Sequence, residues 1–352
     1  MNLDNLLIKL KKECELGKYT DEEVVYFFEY ARKLNENQLP VVFDVNHFSS
    51  LVGVSLRYLY AVSNDSKHFY VRYKIPKKSG GYRTINEPMY LLKAVQKWIK
   101  ENILDTLNTS PYSKAYKKGY SIKSNARFHK GMNTLICIDI ENYFGNITQY
   151  RVYSLFLSLG YSKELSVLLS KLCTLKGVLP QGAPTSPVLS NLITVPLDND
   201  IANIARNFSD DNETVRYTRY ADDISISGNN IKSSLIISEL NKVLLRHGFS
   251  ANTSKTRVLG KNNAQVVTGV VVNEKLNTPL KKRKRIRQEI YFIKKFSIEN
   301  HMENQGICIK VVDYLTSLIG RVEFILYINP KDNEFREYKT YLVDLRKNYF
   351  EA

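Results

Sequence analysis

The chain has no apolar run long enough to span a bilayer; its longest runs are short and broken by charge. Its opening, Met1-Asn2-Leu3-Asp4, lacks the basic-then-apolar layout of a secretory signal. Cysteine is scarce: Cys14, Cys137, Cys173 and Cys308 are scattered with no paired spacing. That scatter argues against a disulfide frame or a zinc site and for reduced thiols in a cytoplasmic protein. The five histidines are dispersed as well, so no His/Cys cluster offers itself to a metal. Internal repeats and low-complexity linkers are absent. Acids are in deficit, with 35 Asp plus Glu against 51 Lys plus Arg, a net surplus of 16 positive charges. A surplus of that size predicts a polyanionic partner, most simply nucleic acid, in preference to a generic solvated surface.

What is present is an ordinary globular composition, 43% hydrophobic and 24% charged over 352 residues. A chain of that length can bury one large core or two to three smaller lobes. Residues 3 to 34 carry apolar residues at helical spacing, and residues 47 to 62 read as a further short helix. Phe69 to Pro76 alternates as a strand. The turn Lys77-Lys78-Ser79-Gly80-Gly81 returns it through Tyr82-Arg83-Thr84-Ile85 as a hairpin. Residues 89 to 104 form an amphipathic helix. Thr134 to Ile140 is a nearly continuous apolar strand that reaches a lone acid at Asp139. Residues 150 to about 175 are helical, and 180 to 187 form a Gly/Pro loop. Ser186 then reads as an N-cap with Pro187 at the first helical position. Pro196 is expected to kink the helix that follows. Val215 to Tyr220 and Ile224 to Ser227 make a second hairpin, 231 to 247 a helix, and Gln265 to Val272 a strand. From residue 280 onward the pattern is helical and basic at its start. This order suits an α+β fold, an antiparallel sheet with helices packed on one face.

Tyr220-Ala221-Asp222-Asp223 is the most informative segment. Two adjacent acids at a hairpin tip repel and raise each other's pKa unless a cation lies between them. Neighbouring antiparallel strands lie about 4.8 Å apart. If the Asp139 strand adjoins the hairpin, three carboxylates converge on space for two magnesium ions about 3.5–4 Å apart. Magnesium prefers carboxylate and phosphate oxygens, which is the ligand set a nucleotide polymerase requires.

Asp139 with Phe144 five residues on, the run Leu179-Pro180-Gln181-Gly182-Ala183-Pro184-Thr185-Ser186-Pro187, and Tyr220-Ala221-Asp222-Asp223 resemble the central motifs of reverse transcriptases, in that order. Asn125-Ala126-Arg127-Phe128-His129 and Val267-Thr268-Gly269 resemble signatures of the bacterial retron type. The resemblance covers nearly the whole chain and is weakest over residues 1 to 60. It implies a right-handed polymerase: N-terminal helices and fingers over 1–130, an antiparallel-sheet palm over 131–275 with a fingers segment near 150–180, and a helical thumb over 276–352. It implies that Asp139 and Asp222 ligate the metals with Asp223 in support, and that Phe144 selects deoxynucleotides by excluding a 2′-hydroxyl. Gln181 and Gly182 fit a loop that approaches the nascent base pair.

Arg83 and one of Lys77 and Lys78, with Lys78 favoured, are expected to close on the triphosphate. Lys255 resembles a residue that assists pyrophosphate departure. Asn125, His129, Val267, Thr268 and Gly269 are expected to contact RNA. Lys281, Lys282, Arg283, Lys284 and Arg285 are expected to grip duplex phosphates. Tyr291 and Phe292, just beyond, are expected in the thumb core. The retron resemblance further implies dNTP substrates, a cognate noncoding RNA and its cDNA as partners, a branched RNA–DNA product, and a separate effector in anti-phage defence. The residues after Gly269 suffice for a thumb without an RNase H domain, so template removal would fall to a host enzyme. The alternatives are another bacterial reverse transcriptase, of group II intron or abortive-infection type, and a catalytically idle RNA-binding protein.

Overall fold

The computed structural model describes residues 3–77, 80–209 and 213–349. The chain opens with helices α1 (Leu3–Glu15), α2 (Asp21–Glu36), α3 (Val45–Val52) and α4 (Leu56–Asn64). Strands β1 (Tyr70–Pro76) and β2 (Tyr82–Pro88), helices α5 (Tyr90–Ile99) and α6 (Ile122–Arg127), and strand β3 (Thr134–Asp139) follow. Next come α7 (Gln149–Ser158), α8 (Lys163–Cys173), α9 (Ser186–Ile193) and α10 (Val195–Asn207). Then come β4 (Arg216–Tyr220), β5 (Asp223–Gly228), α11 (Ser233–Arg246), β6 (Arg257–Gly260), β7 (Val266–Val267) and β8 (Val270–Val271). Helices α12 (Leu280–Phe296), α13 (Ile298–Asn304), α14 (Val311–Ile328) and α15 (Asn333–Asn348) end the described chain. The class is α+β, and the strand pairs are antiparallel.

Several boundaries differ from those expected, each for a local reason. The helix expected over 3–34 is two helices, because Thr20 opens α2 with a capping box. Its hydroxyl accepts from the Glu23 amide at 3.2 Å, and the Glu23 carboxylate accepts from the Thr20 amide at 2.8 Å. The helix expected over 47–62 is broken at Gly53, which takes φ 64° and ends α3. Ser186 is the first residue of α9 and not its cap. Pro196 does not kink a helix: α9 ends at Ile193, and Pro196 lies in the first turn of α10, where a missing amide proton does no harm. The single strand expected over 265–272 is the β7–β8 hairpin, reversed by Thr268 and Gly269 at φ 47° and 82°.

The chain divides into two compact units. The first comprises Met1–Lys117, Ile140–Ile201 and Asn241–Ala251. Its sheet is the β1–β2 hairpin, in register from Tyr70↔Pro88 to Pro76↔Tyr82. Buried Gln96 ties the hairpin's base to a helix, donating to the Tyr70 hydroxyl and to the Leu172 carbonyl, each at 2.8 Å. The Gln181–Gly182 loop lies on β2: the Asn86 amide donates to the Gln181 carbonyl at 2.7 Å. Gly182 has φ 118°, and a Cβ there would stand 2.7 Å from the Asn86 carbonyl oxygen, so the contact requires glycine.

The second unit comprises Lys118–Asp139, Ala202–Leu240 and Asn252–Ala352. Its sheet has the order β4-β5-β3-β6. Leu135, Ala126, Val267, Val270, Val272 and Ile328 form a cluster that covers one sheet face with α6 and the β7–β8 hairpin. The basic helix α12 buries Ile286, Ile290 and Ile293 at helical spacing against Leu315, Leu318, Val322, Phe335 and Leu342. Arg283 faces the same way. Its guanidinium meets the Asp332 carboxylate at 2.5 Å, with side chains only 10% and 8% exposed, and lies over the Phe335 ring at 4.5 Å. Tyr291 is 55% exposed rather than in the core, whereas Phe292 stacks with His301.

Removing one partner of a buried ion pair strands the other charge. Asp332→Ala should therefore destabilise the protein by about 3 kcal/mol, read as a fall in the denaturation midpoint. Asp332 also caps α15 by accepting from the Phe335 amide. Asp332→Asn, which keeps that capping oxygen, should lose measurably less.

Candidate active site

The acids meet because of strand register. Asp139 ends β3 and Asp223 begins β5, and the two are direct partners across the antiparallel pair. Tyr220 pairs with Asp223, so Ala221 and Asp222 alone form the turn between β4 and β5. Ala221 takes φ 58°, a left-handed conformation that costs a residue bearing a Cβ roughly 1–2 kcal/mol. The turn is held from within: the Arg219 guanidinium donates to the Ala221 carbonyl at 3.0 Å. Arg219 is 0% exposed. A rigid two-residue turn thus sets Asp222 beside the Asp139–Asp223 pair.

A cation already lies against these acids. Lys255 Nζ donates to both oxygens of Asp139, at 3.0 and 2.9 Å. The short turn Thr253–Lys255 that carries it is anchored by the Asn252 amide, which donates to the Asp139 carbonyl at 2.8 Å. The hydrogen bond to Asp139 raises the Lys255 pKa, with the charges of Asp139, Asp222 and Asp223 adding to it against a smaller opposing effect of burial. A cavity of about 270 Å³ opens here, lined by Cys137, Ile138, Asp139, Asp223, Ser254, Lys255 and Arg257.

Asp223 registers the crowding of charge. Its pKa is pushed from 3.8 up to about 6, first by the dense protein around it, then by Asp222 and Asp139, with Lys255 and Arg257 opposing. The residue still reaches solvent, so the like-charge share of that rise is the share a bound cation would cancel. Among the described residues, no three His, Cys, Asp or Glu side chains are gathered closely enough to enclose a metal as they stand. The donor set nevertheless fits a hard divalent ion: carboxylate oxygens, excess negative charge, and an ammonium in the position of a counter-cation.

The other expected residues fall as follows. In the first unit, Phe144 is half-buried, its ring 5.4 Å from Tyr143 and 6.4 Å from Tyr116. Tyr143 is buried, with its hydroxyl on the Ser190 carbonyl. Arg83 and Lys77 are exposed on the β1–β2 hairpin, and Lys78 lies outside the described residues. In the second unit, Lys281, Lys282, Lys284 and Arg285 are exposed on α12, and Arg285 pairs with Glu289 at 3.1 Å.

Four residues expected to contact RNA are buried: Arg283 faces the helical core, and Asn125, His129 and Val267 lie inside the second unit. Thr268 and Gly269 do reach open space, lining a second cavity of about 340 Å³ with Tyr220, Asp223, Ser225 and Arg257. Two residues near the acids were not singled out from the sequence. Arg219 carries a signal, a cation set within a strand whose neighbours are buried. Arg257 carries a weaker one, alternation with Lys255.

A profile of the family described as reverse transcriptase (RNA-dependent DNA polymerase) matches residues 75–272. The Retron Ec86 reverse transcriptase of Escherichia coli is 34% identical over 321 residues, spanning 90% of this chain and 94% of that protein. The Retron Mx65 reverse transcriptase of Myxococcus xanthus is 33% identical over 302 residues, spanning 80% and 67%. Among solved structures, telomerase from Candida albicans with a telomeric RNA fragment aligns at TM-score 0.43 and 12% identity, over 88% of this chain and 70% of that one. The foamy viral protease-reverse transcriptase with double-stranded DNA aligns at 0.41 and 15%, over 92% and 52%. The chain belongs to the reverse transcriptases and, among them, to the retron type. It is accordingly an enzyme, an RNA-directed DNA polymerase. Among the described residues, no helix is long and apolar enough to cross a membrane.

The raised Asp223 pKa fixes a sign. Between pH 3.8 and about 6 the folded protein binds more protons at this group than the unfolded chain does. The stability of metal-free protein should therefore rise as pH falls through about 6, as far as this group is concerned. Asp223→Asn should be the more stable protein at pH 7 in chelator, with the difference shrinking by pH 4. Denaturation midpoints of the two proteins across that range check it.

Proposed function

We propose that the chain copies a cognate structured noncoding RNA into DNA from a primer hydroxyl on that RNA, giving a branched RNA–DNA product. The observation that carries the catalytic part is the direct Asp139–Asp223 pairing, with Asp222 in the adjoining turn and a lysine ammonium on Asp139. The branched product, and service in anti-phage defence beside a separate effector, rest on membership of the retron type.

In this reading Asp139 and Asp222 bind two magnesium ions, with Asp223 in support. Bound magnesium would activate the primer hydroxyl and neutralise the triphosphate. The protein's own groups do the rest. Lys255, whose ammonium lies on Asp139, gives a proton to the departing pyrophosphate as a general acid. Arg83, exposed on its hairpin, offers planar bidentate contacts to the triphosphate. Gly182 lets the loop backbone approach the new base pair, and Gln181 supplies an amide. Phe144 bars a 2′-hydroxyl from the sugar site. The β1–β2 hairpin serves as fingers, the four-stranded sheet as palm and α12–α15 as thumb. The exposed cations Lys281, Lys282 and Lys284 contact phosphates of the nucleic acid.

Purified protein with a primed RNA template and dNTPs should extend the primer. Asp222→Ala with Asp223→Ala should abolish extension while RNA binding persists; undiminished synthesis would refute the metal assignment. Phe144→Ala should raise the incorporation of ribonucleotides relative to deoxynucleotides by about tenfold, read by competing the two substrates in one reaction.

A further inference from the structure

The segment Asn125–His129 was expected to touch RNA, yet its two polar ends are buried. His129 bridges the strands that carry the acids: Nδ1 lies 2.8 Å from the Ser227 hydroxyl on β5, and Nε2 lies 2.8 Å from the Thr218 hydroxyl on β4. A neutral imidazole donates through one nitrogen and accepts through the other, and rotating hydroxyls complement both. Burial, helped by the Arg216 charge, lowers the His129 pKa to about 3, so the ring stays neutral. Arg216 adds a third tie, donating to the Phe128 carbonyl at 2.9 Å.

The same segment grips the other hairpin. Ala126 packs with Val267 and Val270, and the Asn125 amide donates to the Thr268 hydroxyl at 3.4 Å. Thr268 has φ 47°, and a β-branched residue in that region is a genuine outlier. Such strain persists only where the surroundings over-determine it. Tyr220, Asp223 and Ser225 form one wall of the 340 Å³ cavity, and Thr268 and Gly269 form another. The Asn125–His129 segment is bonded to the elements that carry both walls.

We propose that Asn125 and His129 are positioning residues, forming an internal brace that fixes the acid-bearing β4–β5 hairpin against the Thr268–Gly269 turn. The proposal rests on the reading of the acids as the polymerase site. A misplacement of about 1 Å at a reacting centre can lower a rate by two orders of magnitude. The brace therefore acts on turnover and leaves RNA affinity alone.

The test uses the full chain with a primed RNA template, comparing wild type, His129→Ala, His129→Gln and the double variant Thr218→Val with Ser227→Ala. The double variant keeps the imidazole and removes both of its hydroxyl partners, so it decides the matter if His129→Ala fails to fold. In folded variants kcat should fall about 10- to 100-fold. RNA Kd should stay within about twofold, and His129→Gln should recover part of the loss. Hydrogen exchange at the Asp222 and Asp223 amides should quicken about tenfold, with α12–α15 unchanged.

A kcat within about twofold of wild type would overturn the brace. So would a weakened RNA Kd with kcat retained at saturating RNA. If wild type itself incorporates nothing, the polymerase reading fails, and amide exchange alone judges the brace: unchanged exchange at Asp222 and Asp223 refutes it.

Discussion

The structure of the site turns on carboxylates forced together against their mutual repulsion. Antiparallel register places Asp139 directly across from Asp223, and the two-residue turn puts Asp222 next to them. The acid-bearing unit is organised to hold this unfavourable arrangement. Arg219 fixes the strained Ala221 from inside, His129 ties the two strands behind the turn, and Lys255 offsets part of the charge in front. Remote packing thus supports a local concentration of negative charge, the condition for attracting hard cations.

The acid site was legible because its signals are short-range and chemical. An apolar strand reaching a lone aspartate, and two aspartates between strand residues, leave few alternatives to convergence in one sheet. The β1–β2 hairpin was legible for a similar reason, alternation closed by a Gly-Gly turn. Helix breaks were harder to see. Thr20 and Gly53 end helical patterns whose apolar spacing runs on past them, and period alone carries no information about a cap. The β7–β8 hairpin was hidden because its turn puts a threonine where glycine or asparagine is usual.

Burial of polar side chains was the least visible property. Asn125, His129 and Arg283 all read from the sequence as groups that meet nucleic acid, since hydrogen-bonding and charged side chains ordinarily face out. Each is buried and makes at least one hydrogen bond inside the protein. Arg283 shares the charge of its neighbours but sits one turn before Ile286 and Ile290 and so shares their inward face. A helical run of five cations cannot all point one way, and the one on the apolar side needs an acid supplied by a distant stretch of chain. That acid, Asp332, lies 49 positions on, out of reach of any local pattern.

The contact between Gly182 and Asn86 has a mechanical corollary. The loop that would sense the base pair is pinned to the strand that would carry the triphosphate-binding arginine, backbone against backbone, with no space for even a methyl group. Relative sliding of the two would break that hydrogen bond. On the proposed roles of Gln181 and Arg83, selection of the correct base and capture of its phosphates would be geared together, the two surfaces advancing or withdrawing as one plate.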